Sequence, residues 1–168
     1  MNHRMFAILG LAALSVQACS APRPVEDERS GRNPFVGAWV ITRAAVTDPA
    51  GTTVNEDPEP GLYIFTERHF SNMLIPGGDR APFREESTGE ERLAAYDNFI
   101  ADAGTYEYTD TTLTVRNIIA KVPNVMPPYA SGPVTYRWRL DGETLALTLR
   151  GAWAPVEGQI TYTLSRRE

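Results

Sequence analysis

The sequence predicts a mainly β domain of about eight short antiparallel strands, with one short inserted helix. Apolar and polar residues alternate in several short segments, as they do in strands with one buried face. Turn signals containing Gly, Pro and Asp separate these segments. Helical spacing of apolar residues follows a capping-box pattern at one point in the chain. Short alternating segments separated by turns are typical of an antiparallel sandwich or barrel.

Three strands are predicted before the helix. The first, "FVGAWVITRAAV" at 35–46, is rich in β-branched and aromatic residues and ends at the Pro- and Gly-containing turn 48–51. The segments "LYIFT" at 62–66 and "HFSNMLI" at 69–75 follow, with a tight turn at 67–68. The first three strands therefore form part of a continuous antiparallel run.

The inserted helix is predicted to begin at the capping box formed by Ser87 and Glu90. Leu93, Tyr96 and Ile100 then recur at helical spacing, and Gly104 is predicted to end the helix.

The remaining strands form a predicted meander. They are 104–109, 112–119, 134–140, 144–150 and 159–166, and an Asp-Gly turn joins the third and fourth of these. Leucines alternate at 145, 147 and 149, which is the pattern of a strand with one apolar face. About eight strands match a small closed barrel, whose interior is filled by side chains or holds one small ligand.

The N-terminus has the layout of a secretory signal peptide. Arg4 precedes an apolar run at 5–16, which is too short to span a membrane, and small residues surround Cys19. The segment "VQAC", at 16–19, resembles the bacterial lipobox, which implies cleavage after residue 18 and lipidation of Cys19. We therefore expect an exported lipoprotein of the bacterial envelope, with simple secretion as the alternative. In this resemblance Ser20 permits sorting to the outer membrane, facing the periplasm.

Residues 19–34 are predicted to form the lipidated cysteine and a disordered tether, because their prolines and charges leave little apolar surface to bury. The folded domain is predicted at 35–168.

The order of several motifs resembles the bacterial lipocalin-like domain family. The matching pieces are Gly37, Trp39, 48–49, 61–66, Ser71, 104–107 and 141–145. The resemblance implies an antiparallel up-and-down β-barrel over nearly all of 35–168, and it implies no particular reaction. It also implies that Trp39 packs under an arginine of the last strand, which closes one end of the barrel. Arg166 is the better candidate, since it shares a face with Tyr162, and Arg167 is the other.

The composition argues against several classes of function. A net charge of −5 does not suit a nucleic-acid surface, so no nucleic-acid partner is expected. Once Cys19 is lipidated and the signal peptide removed, His69 is the remaining histidine, so neither a metal site nor a cofactor is expected. No catalytic residue is predicted, although an enzyme that uses His69 remains an alternative.

The candidate ligand-binding residues are aromatic side chains with polar tips and one strand arginine, which would line a pocket. They are Tyr63, Tyr106, Tyr108, Arg116, Tyr136, Trp138 and Tyr162, with Trp153 as a further aromatic candidate. The structural alternative is that these aromatics simply fill the core.

Three functions remain open at this point. The first is a lipid-anchored envelope protein that binds a small apolar or amphipathic ligand in the barrel. The second is an envelope protein–protein interaction module with a packed barrel, in which the apolar loop 121–133 meets a protein partner. The third is an enzyme that uses the barrel cavity.

Overall fold

The computed structural model describes residues 31–77, 81–130, 132–151 and 158–168. The barrel lies in the compact unit Asn33–Glu168. In order, its strands are β1 (Gly37–Asp48), β2 (Gly51–Asn55), β3 (Gly61–Phe65), β4 (His69–Leu74), β5 (Ile100–Tyr108), β6 (Thr112–Ala120), β7 (Val134–Asp141), β8 (Thr144–Arg150) and β9 (Gln159–Arg166). The helix α1 (Gly89–Asp97) precedes β5, and one turn of 3-10 helix spans Pro123–Val125.

Eight of these strands form a closed antiparallel barrel. Each strand from β3 to β9 pairs with the next, and β1 pairs with both β3 and β9, which closes the sheet. The connections are up-and-down throughout, so the predicted fold class is confirmed. Closure leaves the eight barrel strands without long free edges.

The strand β2 is an addition that the sequence analysis did not predict. β1 has 12 residues, and its first part, Gly37–Val40, pairs with β3, whereas Ala44–Asp48 pairs with β2. The predicted turn at 48–51 is therefore the turn of a hairpin that extends one rim of the barrel.

The two ends of the barrel differ in their connections. Short turns join β3 to β4, β5 to β6 and β7 to β8 at one end, which we call the closed end. The opposite end, which we call the open end, carries the β1–β2 hairpin, α1 and the connections that precede β3, β5, β7 and β9. Binding loops on barrels cluster in this way at one rim.

The core is densest toward the closed end. Its largest fully buried side chains are Phe35, Trp39, Leu113, Leu145, Leu147 and Leu164. Burial of an apolar side chain of this size contributes about 1.5–3 kcal/mol, so this cluster is the main source of the domain's stability.

The observed helix begins one residue later than predicted, and it ends earlier than predicted. The capping box is formed by Thr88 and Glu91, since Glu91 N donates to Thr88 Oγ1 at 3.1 Å and Thr88 N donates to the Glu91 carboxylate at 2.8 Å. The helix α1 ends at Asp97 and buries none of its residues. With no packed face to extend it, the chain enters β5 at Ile100 instead, where it pairs with β4. No helix within the described ranges has the length and apolarity that crossing a membrane would require.

Gly104 lies within β5 and does not end a helix. A Cβ at this position would lie 2.0 Å from the carbonyl oxygen of Arg116 on β6, so the close approach of the two strands requires glycine. The pairing of β5 with β6 shifts register at Gly104, which marks a bulge.

Candidate ligand-binding site

Trp39 and Arg166, to which the resemblance assigned closure, are in contact at the closed end. The guanidinium carbon of Arg166 lies 4.0 Å from the centre of the Trp39 ring. Arg166 also donates to the carbonyl oxygens of Pro34, at 2.8 Å, and of Val36, and pairs with Glu143 at 2.8 Å. Arg167 is exposed, so Arg166 is the arginine that covers Trp39.

The Gly-x-Trp motif has a physical basis in this seal. Gly37 has a φ of +134°, which side-chain-bearing residues rarely adopt, and a Cβ there would lie 2.1 Å from the carbonyl oxygen of Glu168. Trp39 Nε1 donates to the carbonyl oxygen of Phe35 at 2.7 Å, which fixes the segment before β1 across the barrel.

Phe35 fills the interior of the barrel at the closed end. Its ring makes edge-to-face contacts with Tyr106, Tyr108 and Trp138 at centroid distances of 5.9, 5.2 and 5.0 Å. Such contacts stabilise a core beyond the area they bury. Three of the predicted ligand-binding aromatics therefore surround Phe35 at the closed end.

The polar groups of two of these aromatics already have hydrogen-bond partners within the protein. Tyr106 Oη donates to the carbonyl oxygen of Thr66 at 2.6 Å and accepts from Asn33 Nδ2 at 2.7 Å. Trp138 Nε1 donates to the carbonyl oxygen of Thr109 at 2.8 Å. These bonds hold turns of the closed end, so the geometry gives Tyr106 and Trp138 a structural role. Asn33, which the sequence analysis placed in the tether, takes part in this packing.

Arg116 lies on the outer face of the barrel, and Tyr108, whose ring contacts Phe35, lies at its rim. Arg116 points outward and forms an exposed ion pair with Glu107 at 3.5 Å. Tyr108 is 43% exposed at the rim of the closed end. Neither position provides a ligand contact inside the barrel. Trp153 and Cys19 lie outside the described residues.

The other three predicted tyrosines come together toward the open end. Tyr63, Tyr136 and Tyr162 stand on β3, β7 and β9 at inward positions, packed on the core cluster. Burial is the main cause that raises the pKa of all three hydroxyl groups, and each keeps its proton near neutral pH. Tyr136 and Tyr162 keep partial exposure, whereas Tyr63 is 3% exposed and its ring stacks with that of Phe65 at a centroid distance of 6.3 Å.

A buried polar pair accompanies these tyrosines. Across the sheet, Tyr63 pairs with Asn72 of β4, and Asn72 pairs with Asp102 of β5, so the three side chains form one layer. Asn72 is buried and Asp102 is half-buried. Burial raises the pKa of Asp102, while a hydrogen bond from Asn72 opposes that rise. The open half of the barrel is therefore a polar, aromatic chamber.

Solvent reaches part of the open half. Ile100, Asp102, Val134, Tyr136 and Tyr162 keep partial solvent exposure, whereas Tyr63 and Asn72 have relative exposures of 3% and 5%. By contrast, Trp39, Leu147 and Leu164 in the packed half have relative exposures of 0%. Solvent therefore reaches several inward positions of the open half, and near the closed end it reaches part of Trp138 and Leu140.

A cavity of about 140 Å³ lies at the open end of the barrel and shares Tyr162 with this group of residues, whereas Asn72 and Asp102 do not line it. Its walls are mainly apolar, with Tyr162 and the half-buried Glu59 as the titratable groups. The other lining residues are Ile41, Ala44, Val46, Thr53, Asn55, Pro58, Leu74, Ile75, Pro76, Gly77 and Ile160. An engineered apolar cavity of about 150 Å³ holds benzene, so this cavity fits a molecule of about one ring. It is smaller than the usual range for drug-sized ligands.

Two larger depressions lie on the outer surface of the sheet. One, of about 380 Å³, is lined by outward side chains such as Val40, Leu62 and Met73, and the other, of about 650 Å³, by Ala38 and Ile64 among others. They are surface hollows between strands and do not communicate with the polar layer, whose residues do not line them.

Sequence reasoning missed Asn72 and Asp102 for different reasons. Asp102 fell within the predicted helix, which hid its alternation with Ile100, Gly104 and Tyr106 along β5. Asn72 alternates with the buried Phe70 and Leu74. A polar residue on an apolar face was therefore a readable signal for Asn72.

His69 is exposed at the start of β4, next to the closed end. It does not line the cavity. Within the described ranges, no three His, Cys, Asp or Glu side chains group in a way that would hold a metal ion.

Comparisons with known proteins add little detail. No protein-family model matches the chain, and no curated protein matches it. The fold is similar to the crystal structure of a lipocalin-like protein from Bacteroides uniformis, with 12% identity, a TM-score of 0.43 and coverage of 79% of this chain and 98% of that one. It is also similar to an uncharacterized protein from Bacteroides eggerthii, with 11% identity, a TM-score of 0.44 and coverage of 79% and 99%. The assignment of the barrel itself rests on the strand pairing.

Proposed function

We propose that this protein is a lipid-anchored protein of the bacterial envelope that binds a small amphipathic molecule in the open half of its barrel. The observation that carries the binding function is the asymmetry of the interior. A barrel built only as a packed module would be filled at both ends. Here a cavity of about 140 Å³ remains at the open end, and Tyr162 lies on its wall.

The walls of the chamber suit an amphipathic ligand. Ile41, Val46 and Ile160 provide apolar surface around the cavity, and Tyr162 provides a hydroxyl group at its edge. Pockets with mainly apolar walls and a few polar groups hold ligands by burial and orient them by hydrogen bonds. The small volume favours a ligand of about one ring over a long-chain lipid.

Filling the cavity tests this function. Ala44 lines the cavity, so Ala44→Phe should abolish the binding of single-ring probes such as benzyl alcohol, followed by saturation-transfer NMR. Thr135→Phe is the matched control, because Thr135 is exposed on the outer face of β7. If no probe binds the unaltered protein, or if the two variants bind equally, the proposed binding site is wrong.

The envelope location rests on the signal-peptide layout and the lipobox-like "VQAC" segment. Mass spectrometry of the mature protein should find a diacylated or triacylated Cys19, and Cys19→Ala should release the protein from the membrane fraction. An unmodified N-terminus produced by cleavage at another site would refute the anchor. This test is independent of ligand binding.

One surface favours the interaction module as a second candidate. Ile118 and Ile119 on β6 are 62% and 63% exposed, and Tyr129 on the adjoining loop is 71% exposed. The pairing of β6 with β7 covers only Thr112–Val115 of β6, so Arg116–Ala120 has no β7 partner. Ile119→Ser with Tyr129→Ser should reduce chemical cross-linking to an envelope protein if this surface binds one, and unchanged cross-linking would exclude this candidate.

A further inference from the structure

We propose that the ligand of the chamber carries a protonated amine, which binds through the carboxylate of Asp102 against the rings of the surrounding tyrosines. This inference rests on the proposed binding function and specifies the chemical class of the ligand. Three observations on the described residues carry it: the charge balance of the chamber, the amide oxygen of Asn117 that lacks a hydrogen-bond partner, and the aromatic residues around Asp102.

The charge balance favours a cation. Asp102 lies at an inward position of β5, and the side-chain partner that it has is the neutral Asn72. The described ion pairs join Arg43, Arg84, Arg116 and Arg166 to glutamates elsewhere, and none involves Asp102. Asp102 does not line the cavity of about 140 Å³, whose one carboxyl group is Glu59, and no Lys, Arg or His lines that cavity either. A half-buried carboxylate without a cationic partner is stabilised when a ligand supplies the positive charge.

The hydrogen-bonding groups favour a donor. Gly104 is the next inward position along β5 after Asp102, and Asn117 of β6 lies opposite Gly104. Its Nδ2 donates to the carbonyl oxygen of Val125 at 3.1 Å, which fixes the amide orientation. Its Oδ1 is buried and has no hydrogen-bond partner among the described residues. A primary ammonium group has three donors and no acceptor, so it complements both a carboxylate and an orphaned amide oxygen.

The aromatic walls favour the same ligand. Tyr63, Tyr136 and Tyr162 stand at inward positions of three different strands, and Tyr136 and Tyr162 keep partial solvent exposure. The electrostatic influence of Asp102 reaches Tyr63 and Tyr136, which places these two hydroxyl groups near the carboxyl group. A cation between aromatic rings and a carboxylate gains from both cation–π and ionic attraction.

Benzylamine and benzyl alcohol form a matched pair of probes, since they have the same shape and differ in charge. Both should be titrated into the purified full-length protein in non-ionic detergent at pH 7.5, with saturation-transfer NMR as the readout. We expect benzylamine to bind at least about tenfold more tightly, as for a charge-assisted hydrogen bond. Asp102→Asn should remove this preference, whereas Asp141→Asn, at an exposed position of the closed end, should retain it.

The two proposals fail in distinguishable ways. If both probes bind equally, or if benzyl alcohol binds more tightly, the amine assignment is overturned and small-molecule binding stands. If neither probe binds, both proposals fall. Retention of the preference for benzylamine in Asp102→Asn would show that another group holds the amine, and it too overturns the assignment.

The pH dependence of the unaltered protein provides a second test that needs no variant. The titratable groups that Asp102 influences are Tyr63 and Tyr136, and the raised pKa values of both hydroxyl groups keep them neutral in acid and neutral solution. Protonation of Asp102 would therefore weaken benzylamine binding as the pH falls through its raised pKa, with benzyl alcohol nearly unaffected. Because Glu59 also lines the cavity, Glu59→Gln should leave this pH dependence in place. Benzylamine affinity that does not change with pH would contradict the proposal.

Discussion

Replacement of Arg166 by methionine tests the seal of the closed end most directly. Methionine keeps the apolar stem and removes the guanidinium group that covers Trp39. Arg167→Met is the matched control, because Arg167 is adjacent in sequence, exposed and bonded to Ala38 through its backbone N–H alone among the described contacts. The two variants have the same charge and composition.

The expected loss follows from the contacts of Arg166. The contact with Trp39 contributes about 0.5–2 kcal/mol. The carbonyl oxygens of Pro34 and Val36 each lose a charged donor, and an unsatisfied group costs about 1–3 kcal/mol where water does not replace the bond. The ion pair with Glu143 is worth about 0–1 kcal/mol, because Glu143 is largely exposed. Since water reaches part of this site, we expect Arg166→Met to lower the free energy of unfolding by about 2–4 kcal/mol.

Urea-induced unfolding followed by tryptophan fluorescence measures this loss. For a domain of this size, the expected change lowers the midpoint by about 1–2 M urea. Arg167→Met should change the free energy of unfolding by less than about 0.5 kcal/mol, as most surface substitutions do. Equal midpoints for the two variants would falsify the assignment of Arg166 to the seal.

Three further predictions concern the polar layer, the β5–β6 contact and the helix cap. Burial raises the pKa of Asp102 above 3.8, so the folded state loses stability as the pH rises through that pKa. Asp102→Asn should therefore become progressively more stable than the unaltered protein between pH 3 and 7 in urea titrations. A difference in the free energy of unfolding that stays constant with pH would contradict this. Gly104→Ala should cost about 3 kcal/mol or more because its Cβ would meet the Arg116 carbonyl, whereas Gly89→Ala has open space and should be neutral or stabilising in thermal unfolding. Thr88→Ala should raise amide exchange rates in α1 by a factor equivalent to about 1 kcal/mol, and Ser87→Ala should raise them less. A larger effect of Ser87→Ala would show that Ser87, as predicted from the sequence, is the cap.

The strands were predictable where a two-residue alternation coincided with a clear turn. The last two strands, 144–150 and 159–166, have the predicted bounds, because the alternating leucines and tyrosine of these segments all point into the barrel. The helix was less predictable. Apolar spacing at Leu93, Tyr96 and Ile100 suits a helix, but Leu93 and Tyr96 are exposed and Ile100 belongs to β5. Local spacing does not show which apolar residues will find a partner.

The candidate site was predictable in part. Alternation placed Tyr63, Tyr136 and Tyr162 on inward faces, yet it placed Tyr106 and Trp138 there as well. The two groups differ in their height along the barrel axis. This height depends on strand register, and Tyr106 and Trp138 lie at the level where Phe35 packs. Register across a closed sheet is a long-range property, so no local pattern reveals it.

The sequence by itself determined the eight barrel strands and the turns between most of them, because these depend on short-range patterning. The resemblance implied that an arginine of the last strand covers Trp39, with Arg166 as the better candidate. Only the tertiary structure decided which end of the barrel is packed and which is open. Closure of β1 onto β9 brings Asp102, Asn72 and the three tyrosines from five strands into one chamber. That grouping arises from pairing between distant segments, where the free energy depends on the complete barrel and on no single strand.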